Sequence, residues 1–306
     1  MRRLLLGLGL FAFCASAANA GPAETAFTIL VGEPSWLSDA ANLARALDHE
    51  NSVRVLPMLG TGSVQALQDL GQFREVDSAL ITSDSLAYVH AQSLLAPQDE
   101  KLSFVAALRP LPIFLIAKRN IANVTMLAGK RIATGPADSA SFATGELVLG
   151  TLEVPFLRVA QAQERAVEAL ASGKADAALV VGAPLNLDRL SSSNFHILPL
   201  VMPQELADIY QPAKLTSKDA PGLISPNDKL DSVSTSLILA VNETDLSAEQ
   251  RRGLKLFEAA YFQQVQNQNM GTPRADVPGW QREANAATLL KSIPVNATIT
   301  PTGAEP

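Results

Sequence analysis

The sequence predicts an α/β protein of two lobes, with mainly parallel sheets covered by helices on both faces and a hinge between the lobes. Three observations predict it. Apolar runs of strand length alternate with helically spaced segments along most of the 306-residue chain. Loops rich in Gly, Ser and Thr follow strand ends at Gly32, Gly60, Thr82, Gly135 and Gly182, where open α/β sheets hold ligands. Finally, the length beyond an export leader exceeds one ordinary core, so two lobes are expected.

The leader comes first. Arg2 and Arg3 supply a positive end, Leu4 to Phe13 is apolar, and Ala18-Asn19-Ala20 fits the small-x-small pattern. Cleavage after Ala20 and a periplasmic, soluble mature protein are expected. The apolar run is short for a membrane span. Phe13 before Cys14 fits a lipoprotein poorly, because a small residue belongs there. Cys14 is the only cysteine, so the mature chain forms no disulfide and no thiolate metal site.

Of the 24 basic side chains two, Arg2 and Arg3, leave with the leader; the rest face 30 acidic ones, a formal charge of about −8. No basic stripe exists to neutralise phosphates, which argues against nucleic acid as a partner. His49, His90 and His196 share no metal spacing, so neither metal nor other cofactor is expected. No Gly-x-Ser-x-Gly elbow or P-loop occurs, and no histidine is placed to activate Ser63; an enzyme is not expected.

The elements follow in order. Phe27–Val31 reads as a strand, and Leu37, Ala40, Leu43, Ala44 and Leu47 repeat with helical spacing. Ser52–Leu56 is the next strand, and Gly60-Thr-Gly-Ser63 opens a helix through Leu67 and Leu70. Asp77–Ile81 is a strand, and Asp84 is the expected cap of a helix through Leu86 and Val89. Arg109-Pro-Leu-Pro112 is stiff and extended, suited to a crossing between lobes, and runs into the strand Ile113–Ala117. Arg131–Thr134 is a strand, broken at Gly135-Pro136, after which Ser139 or Ser141 caps a helix through Leu149. Phe156–Val159, Gln163–Ala171, Ala177–Val181 and Phe195–Leu200 continue the alternation. Val233–Val241 is the expected return crossing. Ser247 caps a long helix to Gln266, with Glu249 and Gln250 in its first turn. The polar tail from Thr298 to Pro306 is expected to fray. The division is therefore 1–20 signal peptide, 21–108 first part of lobe 1, 109–240 lobe 2 with the crossings, and 241–306 the return to lobe 1 with the C-terminal helix and tail.

The loops at strand ends carry the candidate site. A helix start exposes backbone N–H groups and partial positive charge, which suits a carboxylate or another acceptor-rich ligand. The candidate ligand-binding residues are Ser35, Trp36, Thr61, Gly62, Ser63, Ser83, Ser139, Ser141, Phe142 and Gly182. Trp36 reads first as core and second as a pocket wall. Arg109 reads first as a structural ion pair and second as a cation beneath a ligand. Tyr210 reads as packing.

Several segments together resemble the TAXI-type solute-binding proteins of tripartite ATP-independent periplasmic (TRAP) transporters. They are Gly60-Thr-Gly-Ser-Val-Gln-Ala-Leu67, Asp77-Ser-Ala-Leu-Ile-Thr-Ser-Asp84, Leu127-Ala-Gly-Lys-Arg-Ile-Ala-Thr-Gly-Pro136, Ala169-Leu-Ala-Ser-Gly-Lys-Ala-Asp-Ala-Ala178, Val181-Gly-Ala-Pro184, and Tyr210-Gln-Pro-Ala213 with Pro221-Gly222. The ordered set covers most of the mature chain. The resemblance implies a type II periplasmic binding fold, a small organic solute such as a carboxylate, an integral membrane permease as partner, and a monomer. Two segments depart from it. The first loop reads Gly32-Glu-Pro-Ser-Trp-Leu-Ser38, and Phe142 stands where the pattern offers an arginine. Phenylalanine cannot clamp a carboxylate, so a solute less charged or more apolar than glutamate is expected. An ATP-driven uptake system or a membrane sensor kinase are the competing partners.

Overall fold

The computed structural model describes residues 25–47, 53–95, 101–182, 187–244, 246–268 and 275–293. The leader with Cys14 and its cleavage site, His49, Ala183-Pro184 and the tail from 294 lie outside the described residues. Among the described residues, no helix is long and apolar enough to cross a membrane.

The first lobe opens with strand β1 (Thr25–Val31), a short 3₁₀ turn at Pro34–Trp36, helix α1 (Leu37–Leu47) and strand β2 (Val53–Leu59). Helix α2 (Ser63–Gln72), strand β3 (Ser78–Thr82) and helix α3 (Asp84–Ala91) follow. β1 lies between β2 and β3 and is parallel to both. Such strands are covered on both faces, and all five positions of β3 are buried.

The chain then crosses. Strand β4 (Leu102–Lys118) is a single 17-residue strand running through Pro110 and Pro112. The second lobe contains strand β5 (Arg131–Ala133), helix α4 (Ala140–Thr151), strand β6 (Leu157–Val159), helix α5 (Gln163–Ala171) and strand β7 (Ala177–Val181). Strands β8 (Phe195–Ile197) and β9 (Gln211–Leu215) precede the return strand β10 (Leu230–Asn242). The sheet order is β2-β1-β3-β10-β4-β7-β5-β6, with β8 on β4 and β9 on β10. β5 is parallel to β6 and β7, whereas the two long strands join the lobes in antiparallel fashion.

β4 changes partner along its length. Leu102 to Pro112 of β4 pair with β10, and Ile113 to Ala117 pair with β7. The β10 register slips at Leu237/Ile238 and again at Leu239/Ala240, as β-bulges bend a strand and raise its twist. Arg109 pairs with Asp39 of α1 at 3.1 Å.

Helix α6 (Ala248–Gln268) returns to the first lobe and α7 (Ala284–Ser292) packs on it. The Ser247 hydroxyl accepts from Gln250 N, and the Gln250 side chain accepts from Ser247 N, a reciprocal cap. Phe257 of α6 stacks on Phe27 of β1 at 4.3 Å, and Tyr261 follows at 6.2 Å. Contacts of this kind contribute about 0.5–1.5 kcal/mol each beyond area burial.

The core is shared between the lobes. One apolar cluster runs from Phe27, Ile29 and Trp36 to Ile113, Ile132 and Leu179. α4 sits between two clusters: Ala140, Val148 and Leu149 join the shared core, while Ala143 joins the first-lobe cluster of Leu67, Tyr88 and Val89. That explains its mostly apolar sequence: only Glu146, Gly150 and Thr151 are exposed, and the rest of the helix is covered.

Candidate functional site

Glu33 follows β1 in an extended conformation (φ −129°, ψ 142°), which a residue before proline favours. Its side chain points between the lobes and is only 9% exposed. One carboxylate oxygen accepts from Ala140 N at 2.7 Å, the first residue of α4. The Ser63 backbone N–H, the first of α2, also acts on the carboxyl group and favours its charged form. Two helix N-termini, one from each lobe, thus aim donors at one carboxyl group, and each carries partial positive charge.

The same two termini touch directly. The N-cap position of α2 is Gly62, which has no side chain to cap the helix. The opposing lobe supplies an acceptor instead: Val64 N donates to the Asp138 carbonyl at 2.8 Å. Asp138 has φ 70°, a left-handed conformation that aspartate tolerates better than most residues. A Cβ added at Gly62 would lie 2.3 Å from that carbonyl oxygen. Gly62→Ala is therefore expected to force the loops apart and cost about 1–3 kcal/mol. Urea denaturation checks it, and an unchanged midpoint would show that the loops separate freely.

Burial pushes the Glu33 carboxyl up to about 7, against the opposing pull of the N–H bonds from Ala140 and Ser63. A carboxyl raised on folding binds its proton more tightly in the native state. Its contribution to stability is full below about 4.5 and is lost as pH rises through about 7.

Behind the loops lies a hydroxyl network. Ser63 Oγ accepts from Thr82 N at 2.9 Å and lies 3.0 Å from the Ser85 hydroxyl, which is 2.8 Å from that of Thr82. Ser83 Oγ meets Thr235 Oγ1 at 2.9 Å and accepts from Ser236 N at 3.1 Å. Asp84 is fully buried beside them. It accepts from Thr144 Oγ1 of α4 at 2.6 Å, from Tyr210 OH at 2.8 Å and from Thr235 Oγ1 at 3.2 Å. Asp84 does not cap α3, as its position suggested; its carboxylate instead joins α3 to α4 and β10. Burial and the Asp84 charge hold the Tyr210 hydroxyl well above its ordinary range, so it stays a donor.

The sequence-derived site residues fall into distinct groups. Gly62, Ser63 and Ser139 meet where α2 and α4 face each other. Ser139 caps α4, accepting from Phe142 N at 3.2 Å and donating to the Pro136 carbonyl at 2.7 Å. Ser141 is buried, and a Cβ on Gly135 would meet its hydroxyl at 2.6 Å. Thr61 and Ser35 are exposed. Trp36 lies in the shared core at 1% exposure. Ser83 is buried in the hydroxyl network. The Phe142 ring packs edge-on to Tyr88 of α3 at 5.5 Å, with the Arg158 guanidinium over it at 4.5 Å. Gly182 (φ 80°) bonds Pro112 O at 2.8 Å and abuts Leu111 at the crossing. The sequence reading did not pick out Glu33 or Thr144, and it gave Asp84 and Tyr210 other roles.

No protein-family profile and no curated protein matches the chain. Solved structures do. One described as a periplasmic transporter has 12% identity and a TM-score of 0.50, over 89% of this chain and 94% of its own. A mutant arginine-binding protein from T. maritima has 10% identity and a TM-score of 0.47, over 88% and 95%. The alkanesulfonate-binding protein SsuA from Xanthomonas axonopodis pv. citri, bound to MOPS, has 14% identity and a TM-score of 0.46, over 89% and 86%. The fold is a mixed α/β architecture, similar to that of the structure described as a periplasmic transporter.

Proposed function

We propose that this chain is an extracytoplasmic solute receptor of the TAXI type, which captures a small organic solute between its lobes and delivers it to a TRAP-type permease. The observation that carries the reading is the convergence of donors from both lobes on one acceptor. Ala140 N of α4 and Ser63 N of α2 meet on a carboxyl group, and a group that bridges them favours the closed state. The ordered TAXI-like segments supply the family and the permease class. The lobes are 21–108 with 241–306, and 109–240, turning about Arg109–Pro112 and Val233–Val241. Solute recognition uses backbone donors and hydroxyls at Thr61, Gly62, Ser63, Ser139 and Ser141, with Phe142 contributing an apolar wall.

A thermal-shift screen of the refolded protein over carboxylates, amino acids and apolar acids tests the receptor. One chemical class is expected to raise the melting midpoint in a saturable way, by RT ln(1 + [L]/Kd) in free energy. No shift with any class would remove the receptor reading. Genes for a large permease without an ATPase beside this one would support the TRAP partner, and an ATPase would favour the ATP-driven alternative.

A further inference from the structure

We infer that Glu33 is a tethered stand-in for a solute carboxylate: it occupies the acceptor position between the α2 and α4 N-termini, closes the cleft without a solute and keeps carboxylates out of it. The inference rests on reading this cleft as the solute site.

Four observations carry it. Glu33 is only 9% exposed yet joins no salt bridge among the described residues, and its carboxyl is held by the backbone N–H of Ala140 with that of Ser63 acting on it from the other lobe. Its contact with Ala140 spans 107 residues of sequence, so it forms only when the lobes are together. Gly62 leaves α2 without a cap of its own, and Glu33 with the Asp138 carbonyl takes the first two donors of that helix. Around this point the lobes are already in contact: the Phe142 ring lies on Tyr88, and Thr144 donates to Asp84. A solute carboxylate would find both donor sets taken. It would have to expel Glu33 into the cleft, where Glu164 adds like charge.

Backbone makes the fit possible. Pro34 holds Glu33 extended, and Gly32 N is tied to Leu80 O at 2.9 Å, so the residue is fixed on both sides. Pre-positioning of this kind lowers the entropy lost on closing, as a tether does for any ligand.

The test compares the wild type with Glu33→Ala and Glu33→Gln. Wild type refolded from denaturant, and so stripped of any solute, should scatter X-rays as the compact closed form and ignore acetate or formate. Glu33→Ala leaves a carboxylate-sized gap between two helix N-termini. It should expand and lose roughly 5 °C in Tm, and ~100 mM acetate should restore compaction and about half the loss. Glu33→Gln fills the gap and should not respond to acetate. A compact Glu33→Ala protein indifferent to acetate would overturn the inference. So would stripped wild type that is open and closes on adding acetate or glutamate, a result that needs no variant. These arms use only formate, acetate, glutamate and scattering. A failed solute screen therefore removes the receptor reading while leaving the Glu33 closure to stand or fall separately.

Discussion

Replacing Asp84 with alanine is expected to lower the free energy of unfolding by roughly 3–5 kcal/mol. The carboxylate is fully buried and accepts hydroxyl donors from three separate elements: Thr144 of α4, Tyr210 and Thr235 of β10. Alanine would leave the Thr144 and Tyr210 hydroxyls without this acceptor, and each orphaned donor costs about 1–3 kcal/mol. The Asp84 backbone N–H keeps its bond to Thr235 Oγ1, so the loss belongs to the side chain. Asp84→Asn should fall between, because an amide offers one acceptor atom where the carboxylate oxygens serve three donors. Chemical denaturation of Asp84→Ala, Tyr210→Phe and the double variant forms the check. The three groups act as one network, so the double variant should cost less than the sum. Additive losses, or a loss under about 1 kcal/mol for Asp84→Ala, would show that the network holds nothing together.

The contrast between Asp84 and Ser139 shows what the sequence could reveal. Ser139 acts within three residues of itself, accepting from Phe142 N, and local chemistry places such a cap. The same holds for Ser247 with Gln250. Asp84 occupies a position where a cap is expected, yet its partners lie 60, 126 and 151 residues away. Nothing local marks Glu33 between Gly32 and Pro34, since its partner Ala140 lies 107 residues away. α4 could be located by its apolar run but not oriented, because buried positions spread round most of it and only Glu146, Gly150 and Thr151 are exposed. Two elements escaped for local reasons. β9 carries Pro212 and Lys214 and pairs on one side only, with β10, so it lacks the apolar alternation of an inner strand. α7 is a short helix whose cap is a glutamate, Glu283, outside the usual capping set. The extended passage at Arg109–Pro112 was visible because proline leaves few choices of backbone, and Pro110 and Pro112 lie within the 17-residue strand β4.

Glu258→Gln is expected to reverse the loss of stability at alkaline pH. Glu258 is fully buried on α6, and burial together with the Glu283 carboxyl pushes its pKa up to about 8. Glu283 accepts from Ala286 N at 2.6 Å as the cap of α7, where the helix N-terminus favours its negative charge. Asn285 donates to one Glu258 oxygen, while burial and the neighbouring carboxyl favour the protonated form of Glu258. Unfolded, the same group titrates near 4.5. The native state thus holds a proton that the unfolded state has released, and stability falls as pH rises from about 4.5 through about 8. Glutamine keeps the shape, cannot ionise and removes this slope. Glu33 titrates lower, near 7, so the comparison is cleanest above neutrality. Between about pH 7 and 9 the urea midpoint of the wild type should decline while that of Glu258→Gln stays nearly level, so that the variant is the more stable protein at the alkaline end. Below about pH 4.5, where Glu258 becomes protonated in the unfolded state as well, the two should converge. Parallel profiles across the whole range would mean that Glu258 is ionised in the folded protein, with water or a cation reaching the junction of α6 and α7.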